Sequence, residues 1–336
     1  MTTSATNAPN TANPATPLVY VAAAKEAAPN VVRRGMGRRD GRRRKSWNKV
    51  AAYITLILGA ALLIVPFVWM LAASLDTQQN VTGGEVDWTF NDPQFANYPA
   101  SMKLMGAEAD RNGDGEIGVL EIARLHFPAL SNTIVVTVAC IVGQVVSSSL
   151  VGFGFARFNF RGRGILFALM LSTMMLPAQV TMIPVFVLFR HLGMIDTFWP
   201  LIIPAWLASP FFAFMFRQFF AQVPEELIEA ARMDGASNFR IYWQMMLPLS
   251  GPVIAIVAIF TFMATWNDFM GPLIYLNSPA NRTLALALAQ FNGQYGVRDA
   301  HLLMAASFVT MLPCIILFFA AQKYFVESVA TSGLKG

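Results

Sequence analysis

Apolar residues in this chain come in long runs that are almost free of charge. Six runs stand out: 50–75, 133–156, 165–189, 198–216, 253–276 and 302–322. A helix needs roughly 20 apolar residues to cross the hydrocarbon core of a bilayer, and Asp268 is the only charged residue within the runs. Buried helices of a soluble protein usually keep a polar stripe. The pattern therefore predicts an all-α, polytopic membrane protein with six transmembrane helices.

The segments between the runs indicate how the chain crosses the membrane. Hydrophobic residues make up 55% of the chain and charged residues 13%. If the N-terminus is cytoplasmic, 18 of the 24 Lys and Arg residues fall in cytoplasmic segments. The positive-inside bias then predicts that both termini are cytoplasmic. The basic stretch RRGMGRRDGRRRK (33–45) could bind RNA or anionic lipid, but an orientation anchor explains it better. Membrane lipid is an expected contact, and nucleic acid is not.

The same runs divide the chain into predicted regions. The regions are a disordered, basic cytoplasmic extension (1–49), the first transmembrane helix (50–75), an external loop (76–132), a core of five transmembrane helices (133–325) and a cytoplasmic tail (326–336). The first 30 residues are rich in Ala, Asn, Thr and Pro, and we expect them to be disordered. The first apolar run begins too late for a cleaved signal peptide, so we expect it to remain as a spanning helix.

The sequence contains no motif of an enzyme or of a nucleotide site. It has no G-x-x-x-x-G-K-[ST] phosphate loop and no G-x-S-x-G nucleophile elbow. The apolar runs carry no cluster of His, Cys or carboxylate side chains that would support catalysis or proton transfer. We therefore expect no catalytic residue and no ATP bound by this chain itself. Any uphill transport would take its energy from a partner.

Between the fourth and fifth runs, the segment 217–252 is predicted to form two short helices joined by a tight turn. Pro224 suits the first helical position, and Gly235 can end the helix because glycine adopts the left-handed conformation readily. Ser237 can cap the second helix. The first helix carries a small apolar ridge of Leu227, Ala230 and Ala231. Such a ridge on a polar loop is typical of a docking surface for another protein.

The spacing of residues within this segment is distinctive. It reads Glu229-Ala230-Ala231, three residues, Gly235, nine residues, a hydrophobic position, any residue, then Leu247-Pro248. This spacing resembles the EAA loop of bacterial ABC importer permeases. Met245 stands at the hydrophobic position, where Ile is usual. In that family the loop is a coupling helix inserted into a cleft of a cytoplasmic ATPase. The resemblance thus implies the ATPase-coupling residues Glu229, Ala230, Ala231, Asp234, Gly235, Leu247 and Pro248.

Further stretches resemble the sugar-importing branch of these permeases, in particular the smaller permease of maltose-type systems. They are SNTIVVTVA (131–139), GFGFARFNFRGRG (152–164), LGMIDTFWPLIIP (192–204), TWNDFMGPLIYL (265–276) and SGLKG (332–336). The resemblance covers about 45–336, except for the region around 106–125. It implies the type I ABC importer transmembrane fold and a carbohydrate permease of the bacterial cytoplasmic membrane. The implied partners are a second homologous permease, two ATPase subunits and an external solute-binding protein.

Two other functions remain open. The chain could be a permease of the same architecture for a non-sugar solute such as polyamine or phosphate, or a calcium-responsive membrane receptor or scaffold without transport. Ionisable residues inside a membrane are candidates for function, so Trp266, Asn267 and Asp268 are candidates for the translocation path. Asp268 could also hold helices together or reach interfacial water. The sequence does not identify the solute or the partner subunits.

An acidic stretch interrupts the resemblance in the predicted external loop. Counted from Asp110, the sequence DRNGDGEIGVLE (110–121) matches the D-x-[DN]-x-[DN]-G-x₅-E pattern of EF-hand calcium loops, and it also resembles dockerin loops. The predicted ligands are Asp110, Asn112, Asp114, the backbone of Glu116, and Glu121. Alternate oxygens converge on the cation, a glycine permits the bend, and the last glutamate can bind with both oxygens. We therefore expect a structural Ca²⁺, although Asp, Asn and Gly also favour ordinary turns.

Overall fold

The computed structural model describes residues 38–106, 128–291 and 299–333. Every regular element in these ranges is helical, which confirms the all-α prediction. The chain divides into two units, Met1–Leu63 and Ile64–Gly336. The first helix, α1, spans Arg38–Ser74 and contributes to both units. It begins ahead of the predicted start, inside the basic extension expected to be disordered, because Arg and Lys are good helix formers.

Fourteen further helices follow in the described part of the chain. They are α2 (Gln78–Gly83), α3 (Asn97–Gly106), α4 (Pro128–Arg157), α5 (Arg163–Ser172), α6 (Ala178–His191), α7 (Trp199–Ile202), α8 (Pro210–Ala221), α9 (Glu225–Met233), α10 (Asn238–Ile241), α11 (Leu247–Leu249), α12 (Gly251–Trp266), α13 (Met270–Tyr275), α14 (Leu284–Phe291) and α15 (Ala300–Gly333). Short 3₁₀ turns lie at Thr173–Met175, Ile203–Leu207 and Pro279–Asn281, and a π-helical turn lies at Tyr242–Met246.

Four stretches of helix in the described ranges are long and apolar enough to cross a membrane. They are Lys49–Ser74, Pro128–Arg157, Trp199–Ala221 and Ala300–Gln322. Two further pairs of helices are long and apolar enough when each pair is taken together, but each pair is bent. Arg163–Met175 meets Ala178–His191 at a bend of 98°, and Asn238–Leu249 meets Gly251–Trp266 at a bend of 76°. If each bent pair is one span, the total is the six that the apolar runs predict.

The third apolar run is a broken helix. Leu176 has extended backbone angles, φ −80° and ψ 118°. It precedes Pro177, which begins the next helix from an extended conformation of its own. A proline disfavours the helical conformation in the residue before it, because its ring clashes with that residue's backbone. The break therefore lies where Pro177 favours an extended residue before it.

The fifth run, 253–276, is also broken, close to Gly271-Pro272, a pair of residues that can break a helix. Helix α12 ends at Trp266, and the short α13 begins at Met270. A proline inside a helix clashes with the carbonyl four residues earlier, and Pro272 stands in that relation to Asp268. Between the two helices the Asp268 carboxylate accepts a hydrogen bond from the Gly271 N–H at 3.1 Å, which stabilises the break.

Helix α4 lies at the centre of the second unit. It packs along α8 and α12 and also contacts the turn at Ile203–Leu207. The close approach to α8 depends on Gly152, where a Cβ would lie 2.6 Å from the Phe216 Cβ and 2.9 Å from the Arg217 nitrogen. Small residues at helix contacts of this kind let backbones approach closely inside membranes. The register of α4 against α8 is therefore set by a position that only glycine fits.

Candidate functional site

The segment 217–252 has the helix–turn–helix conformation that its sequence predicts. Helix α9 begins after Pro224, which occupies the flanking position and not the first helical one as expected. The Glu225 side chain lies in the first turn, where the helix dipole favours an anion. Gly235 follows the end of α9 with φ +79°, in the left-handed region. The Ser237 hydroxyl accepts a hydrogen bond from the Arg240 N–H at 3.3 Å, so the predicted cap is confirmed.

The second half of the segment contains an irregularity that the sequence did not predict. After α10 the chain widens into the π-helical turn Tyr242–Met246, where the Leu247 N–H donates to the Tyr242 carbonyl five residues earlier. Pro248 follows at once, and a proline ring in a regular helix would clash with the carbonyl of Gln244. Wide turns of this type occur often at functional sites in proteins.

One face of the segment is buried in the bundle. A continuous apolar cluster joins it to α4, α8 and α12. The buried members of this cluster are Phe153, Phe216, Phe220, Ile228, Ile241, Tyr242, Met246, Val253 and Val257. Ile228 is the residue of α9 that is fully buried, and Ala231 packs beside it, partly exposed. The segment is therefore held rigidly as part of the bundle and does not hang from it as a loose loop.

The other face of the segment is exposed and rich in large apolar side chains. Leu227 is 52% exposed, Met233 88%, Phe239 69% and Trp243 54%. Glu229, Ala230, Asp234, Gly235 and Pro248 are exposed as well, whereas Leu247 is half-buried. Exposed apolar groups concentrated on one surface mark a site for a partner. The predicted coupling residues therefore mostly share the exposed face, and Ala231 and Leu247 support it from below.

Arg157 attaches this segment to α4, and the sequence did not single it out. Its guanidinium donates to Oε2 of Glu225 at 2.7 Å and to the Val223 carbonyl at 2.6 Å. A further hydrogen bond reaches the carbonyl of Phe220, just before the end of α8. The Arg157 side chain is 8% exposed and that of Glu225 53%. The C-terminal end of a helix carries partial negative charge, so the Arg157 cation is placed favourably at the end of α8.

A second polar contact joins α4 to the π-helical turn. The Ser149 hydroxyl and the Tyr242 hydroxyl lie 2.7 Å apart, and both side chains are buried. Buried hydroxyls need a hydrogen-bond partner to offset the loss of water. Residues 149 and 157 are two turns apart on α4, so the helix holds both the start of α9 and the turn after α10.

The three residues predicted for the translocation path lie in different surroundings. Trp266 is buried, stacks on Phe262 at 5.0 Å between ring centroids, and donates from Nε1 to the Thr310 carbonyl at 3.1 Å. Asn267 is exposed and donates to the Met263 carbonyl at 2.8 Å. Asp268 lines a cavity of about 310 Å³. Trp266 is therefore a packing residue, and Asp268 is the member of the triplet that reaches a cavity.

The cavity beside Asp268 has both polar and apolar lining residues. Its polar lining comes from Asp268 and three threonines, Thr133, Thr265 and Thr283, and its apolar lining from Val136, Leu201, Ala264 and Pro272. Thr283 is 5% exposed, and its hydroxyl has no hydrogen-bond partner among the described residues. A buried hydroxyl without a partner is costly. This one lies where a bound molecule could satisfy it.

Asp196 joins two loops that are far apart in the sequence. Its carboxylate accepts hydrogen bonds from the Asn277 N–H at 2.9 Å, from the Ser278 N–H at 2.8 Å and from the Ser278 hydroxyl. Asn281 Nδ2 donates to the Asp196 carbonyl at 2.7 Å. Burial alone would raise the pKa of Asp196, but these hydrogen bonds to the charged form lower the pKa to about 2. Asp196 also has φ +62°, a conformation that aspartate tolerates better than most residues.

The calcium-like loop lies outside the residues that the structure describes. Asp110, Asn112, Asp114, Glu116 and Glu121 all fall within the undescribed range 107–127. Among the described residues no group of three or more His, Cys, Asp or Glu side chains is placed to hold a metal.

Comparison with known proteins identifies the family. The profile of the family described as "Binding-protein-dependent transport system inner membrane component" matches residues 148–331, more than half of the chain. This chain belongs to that family. Members of the family are membrane components of transport systems, and the matched range includes Arg157, the segment 217–252 and the Asp268 cavity residues of α12 and α13. The membrane location inferred from the apolar runs is thereby confirmed.

Individual relatives match over most of their length. A permease protein of the arabinooligosaccharide transport system of Halalkalibacterium halodurans is 35% identical over 66% of this chain and 79% of the relative. The trehalose/maltose transport system permease of Thermococcus litoralis is 30% identical over 86% of this chain and 99% of its own length. A crystal structure of a bacterial ABC transporter that imports alginate covers 84% of this chain with a TM-score of 0.69 and 22% identity. That last similarity establishes the ABC permease fold alone.

Proposed function

We propose that this chain is the permease subunit of an ATP-driven ABC importer that carries a carbohydrate across the cytoplasmic membrane. Its partners in this proposal are a second homologous permease, two ATPase subunits and an external solute-binding protein. The family's description supports the binding-protein partner, and the names of the arabinooligosaccharide and trehalose/maltose relatives support the class of solute. The observation that carries the proposal is the exposed apolar face of a segment that is otherwise built into the bundle.

In this proposal the segment 217–252 is cytoplasmic and docks on an ATPase subunit. The exposed apolar side chains of α9 and α10 enter a cleft of the partner, and the open backbone at Gly235 lets the partner approach closely. Burial of Ile228 in the shared cluster and the attachment through Arg157 make the segment move with the bundle. Closure of the ATPases around ATP would therefore displace helices, and the displacement would switch the access of the solute path from outside to inside.

Gly235→Asp tests the docking, and Gly84→Asp is a matched control. Both glycines have φ +79°, and a Cβ at either would meet nothing within 4 Å, so the backbone strain is the same. We expect uptake of one labelled mono- or oligosaccharide to be lost on deletion of the gene. The intact gene and Gly84→Asp should restore that uptake, and Gly235→Asp should not, although it reaches the membrane. Normal uptake in Gly235→Asp would refute the docking role.

The same uptake assay separates the classes of solute. Unchanged uptake of every sugar in the panel after deletion would overturn the carbohydrate assignment. A loss of phosphate or polyamine uptake would then support a permease for a non-sugar solute. A purified membrane complex that contains no ATPase would instead favour a receptor or scaffold. The solute-binding protein is expected to supply most of the selectivity, so the panel has to be measured with the native partners present.

We further propose that the solute passes the cavity beside Asp268. A carboxylate with several hydroxyls and apolar walls suits a sugar ring, whose hydroxyls donate and whose faces are apolar. The volume of about 310 Å³ is at the lower end of the range of ligand pockets, which begins at roughly 300 Å³. Asp268→Asn keeps the shape and removes the charged acceptor. We expect a KM for uptake raised about tenfold with the complex intact, whereas an unchanged KM would exclude Asp268 from the path.

The calcium loop is a separate proposal, and it rests on the sequence of 110–121. We propose that Asp110, Asn112, Asp114, Glu116 and Glu121 bind one structural Ca²⁺ on the external side, with a Kd on the order of 10⁻⁴–10⁻³ M as in extracellular sites. Glu121→Gln removes the bidentate ligand, so calorimetry on the purified chain should detect calcium binding in the parent and at least tenfold weaker binding in the variant. Equal binding in both proteins would refute the site.

A further inference from the structure

Helix α4 holds parts of the chain at both of its ends through polar side chains. At one end Arg157 and Ser149 hold the segment 217–252, as described above. At the other end the Asn132 amide donates to the Ala280 carbonyl at 2.8 Å and to the Arg282 carbonyl at 2.9 Å. Near each of its two ends, α4 therefore has side chains that form hydrogen bonds to the backbone or to a hydroxyl of a distant segment.

The loop held by Asn132, residues 276–284, is connected to the cavity and to a neighbouring loop. The Thr133 hydroxyl, also on α4, accepts a hydrogen bond from the Leu284 N–H at 2.8 Å. Thr133 and Thr283 both line the cavity beside Asp268. The Asp196 carboxylate also binds this loop, through Asn277 and Ser278. A displacement of 276–284 would therefore change the wall of the cavity. It would also displace the loop before α7, which contains Asp196.

Nothing in α4 interrupts the connection between its two ends. The helix is 30 residues long, and its only proline, Pro128, stands at the first position. At 1.5 Å per residue, Thr133 and Arg157 are roughly 36 Å apart along the axis. Rigid secondary elements that are fixed at both ends can carry energetic coupling between distant sites. By contrast, the third span is bent by 98° at its break, and α12 meets the helical stretch Asn238–Leu249 before it at a bend of 76°. A displacement would be absorbed at these two breaks.

We propose that α4 transmits movement of the segment 217–252 to the loop 276–284, with Arg157 and Asn132 as the positioning residues at its two ends. This inference rests on the proposed function, because it needs an ATPase docked on the segment. Arg157 transfers a displacement of α9 to α4 through the planar guanidinium, which contacts Phe220, Val223 and Glu225 at once. Asn132 passes it to the backbone of 276–284, and the cavity wall at Thr283 moves with it.

The test uses the whole transporter with its partners, reconstituted in liposomes, and measures solute transported per ATP hydrolysed. Asn132→Leu keeps the size of the side chain and removes both donors to the loop. Ser131→Ala is the matched control, because the Ser131 hydroxyl bonds only to the Pro128 carbonyl of its own helix among the contacts of the structure. We expect Asn132→Leu to lower the transport-to-ATP ratio at least fivefold while basal hydrolysis stays within twofold of the parent. Ser131→Ala should keep the parental ratio.

The cytoplasmic end is tested in the same assay. Arg157→Lys keeps the charge but loses the fork that reaches three acceptors. Arg163→Lys is its control, since Arg163 bonds to Phe158 and Asn159 of its own loop. Glu225→Gln is a milder variant that keeps Arg157 on its two carbonyls, and it covers the case in which Arg157→Lys fails to assemble. We expect a lowered ratio in Arg157→Lys, a smaller decrease in Glu225→Gln, and the parental ratio in Arg163→Lys.

A conservative substitution distinguishes positioning from packing. Asn132→Gln retains the amide donors and should recover at least half of the ratio that Asn132→Leu loses. Parental ratios in Asn132→Leu and in the variants of Arg157 and Glu225 would overturn the inference while leaving the importer intact. A parent complex that neither transports a solute nor hydrolyses ATP would overturn the proposed function, and this inference with it.

Discussion

Replacement of Arg157 by Met tests how the segment 217–252 is held to the bundle. Met keeps the unbranched apolar stem and removes the guanidinium. The structure gives Arg157 two hydrogen bonds to backbone carbonyls, of Phe220 and Val223, and one ion pair with the half-exposed Glu225. A hydrogen bond to a charged group contributes about 1.5–3 kcal/mol, and an exposed ion pair about 0–1 kcal/mol. The carbonyls, and not the ion pair, should therefore dominate the loss.

Two effects make the expected loss of stability smaller than the sum of these interaction energies. Burying a guanidinium has a desolvation cost that the variant no longer carries, and carbonyls near the end of a helix can recover part of their bonding from water. We therefore expect Arg157→Met to lower the free energy of unfolding by about 2–4 kcal/mol, at the upper range of single substitutions. Glu225→Gln should lower it by no more than about 1 kcal/mol. Arg163→Met, which loses contacts only within its own loop, should change it by about 0.5 kcal/mol or less.

The assay is reversible denaturant unfolding of the purified chain in detergent micelles, followed by tryptophan fluorescence and helical circular dichroism. Equal losses in Arg157→Met and Glu225→Gln would refute the reasoning, because they would show that the ion pair carries the attachment. A loss below about 0.5 kcal/mol in Arg157→Met would show that water replaces the guanidinium at both carbonyls.

Two further predictions concern the packing of α4 and the loop at Asp196. Gly152→Ala should destabilise the chain by about 1–3 kcal/mol through overpacking against Phe216. Gly154→Ala, where a Cβ meets nothing within 4 Å, should be neutral or stabilising. Thermal unfolding of the two variants tests this, and equal effects would contradict the close approach of α4 and α8 at Gly152. Because the pKa of Asp196 is about 2 in the folded chain and 3.8 is its ordinary value, its contribution to stability is present above pH 4 and is lost as the pH falls towards 2. Asp196→Asn should therefore weaken the dependence of the melting temperature on pH between pH 4 and pH 2. An unchanged pH dependence would refute the stabilising role of the Asp196 carboxylate.

Several elements of the fold could be predicted from local sequence. The spanning helices follow from charge-free runs, since a bilayer leaves a helix as the way for a single segment to satisfy its own backbone. The turn at Gly235 and the cap at Ser237 follow from residues whose conformational preferences are strong. The break at Pro177 follows from the effect of a proline on the residue before it. The break after Trp266 needed the combination of Asp268, Gly271 and Pro272.

Only part of the candidate site could be predicted from the sequence. The family-like spacing identified the residues of the exposed face of 217–252, because they are close together in the sequence. Arg157 was counted only as one of many basic residues, although it is the residue that attaches this face to the bundle. Its partners, Phe220, Val223 and Glu225, lie more than 60 positions further along the chain, and two of them contribute backbone carbonyls that no pattern of side chains reveals.

The sequence by itself determined the class of the protein, the number of apolar runs and the conformation of the short 217–252 hairpin. These properties depend on interactions with the bilayer and with near neighbours, which are written in residues a few positions apart. Tertiary structure alone decided which polar groups meet. It separated Trp266, a packing residue, from Asp268, which lines a cavity, and it brought the two ends of α4 against segments up to about 150 positions away in the chain. Such pairs form because polar groups buried between helices must find partners, and only the packing of the helices determines which partners are within reach.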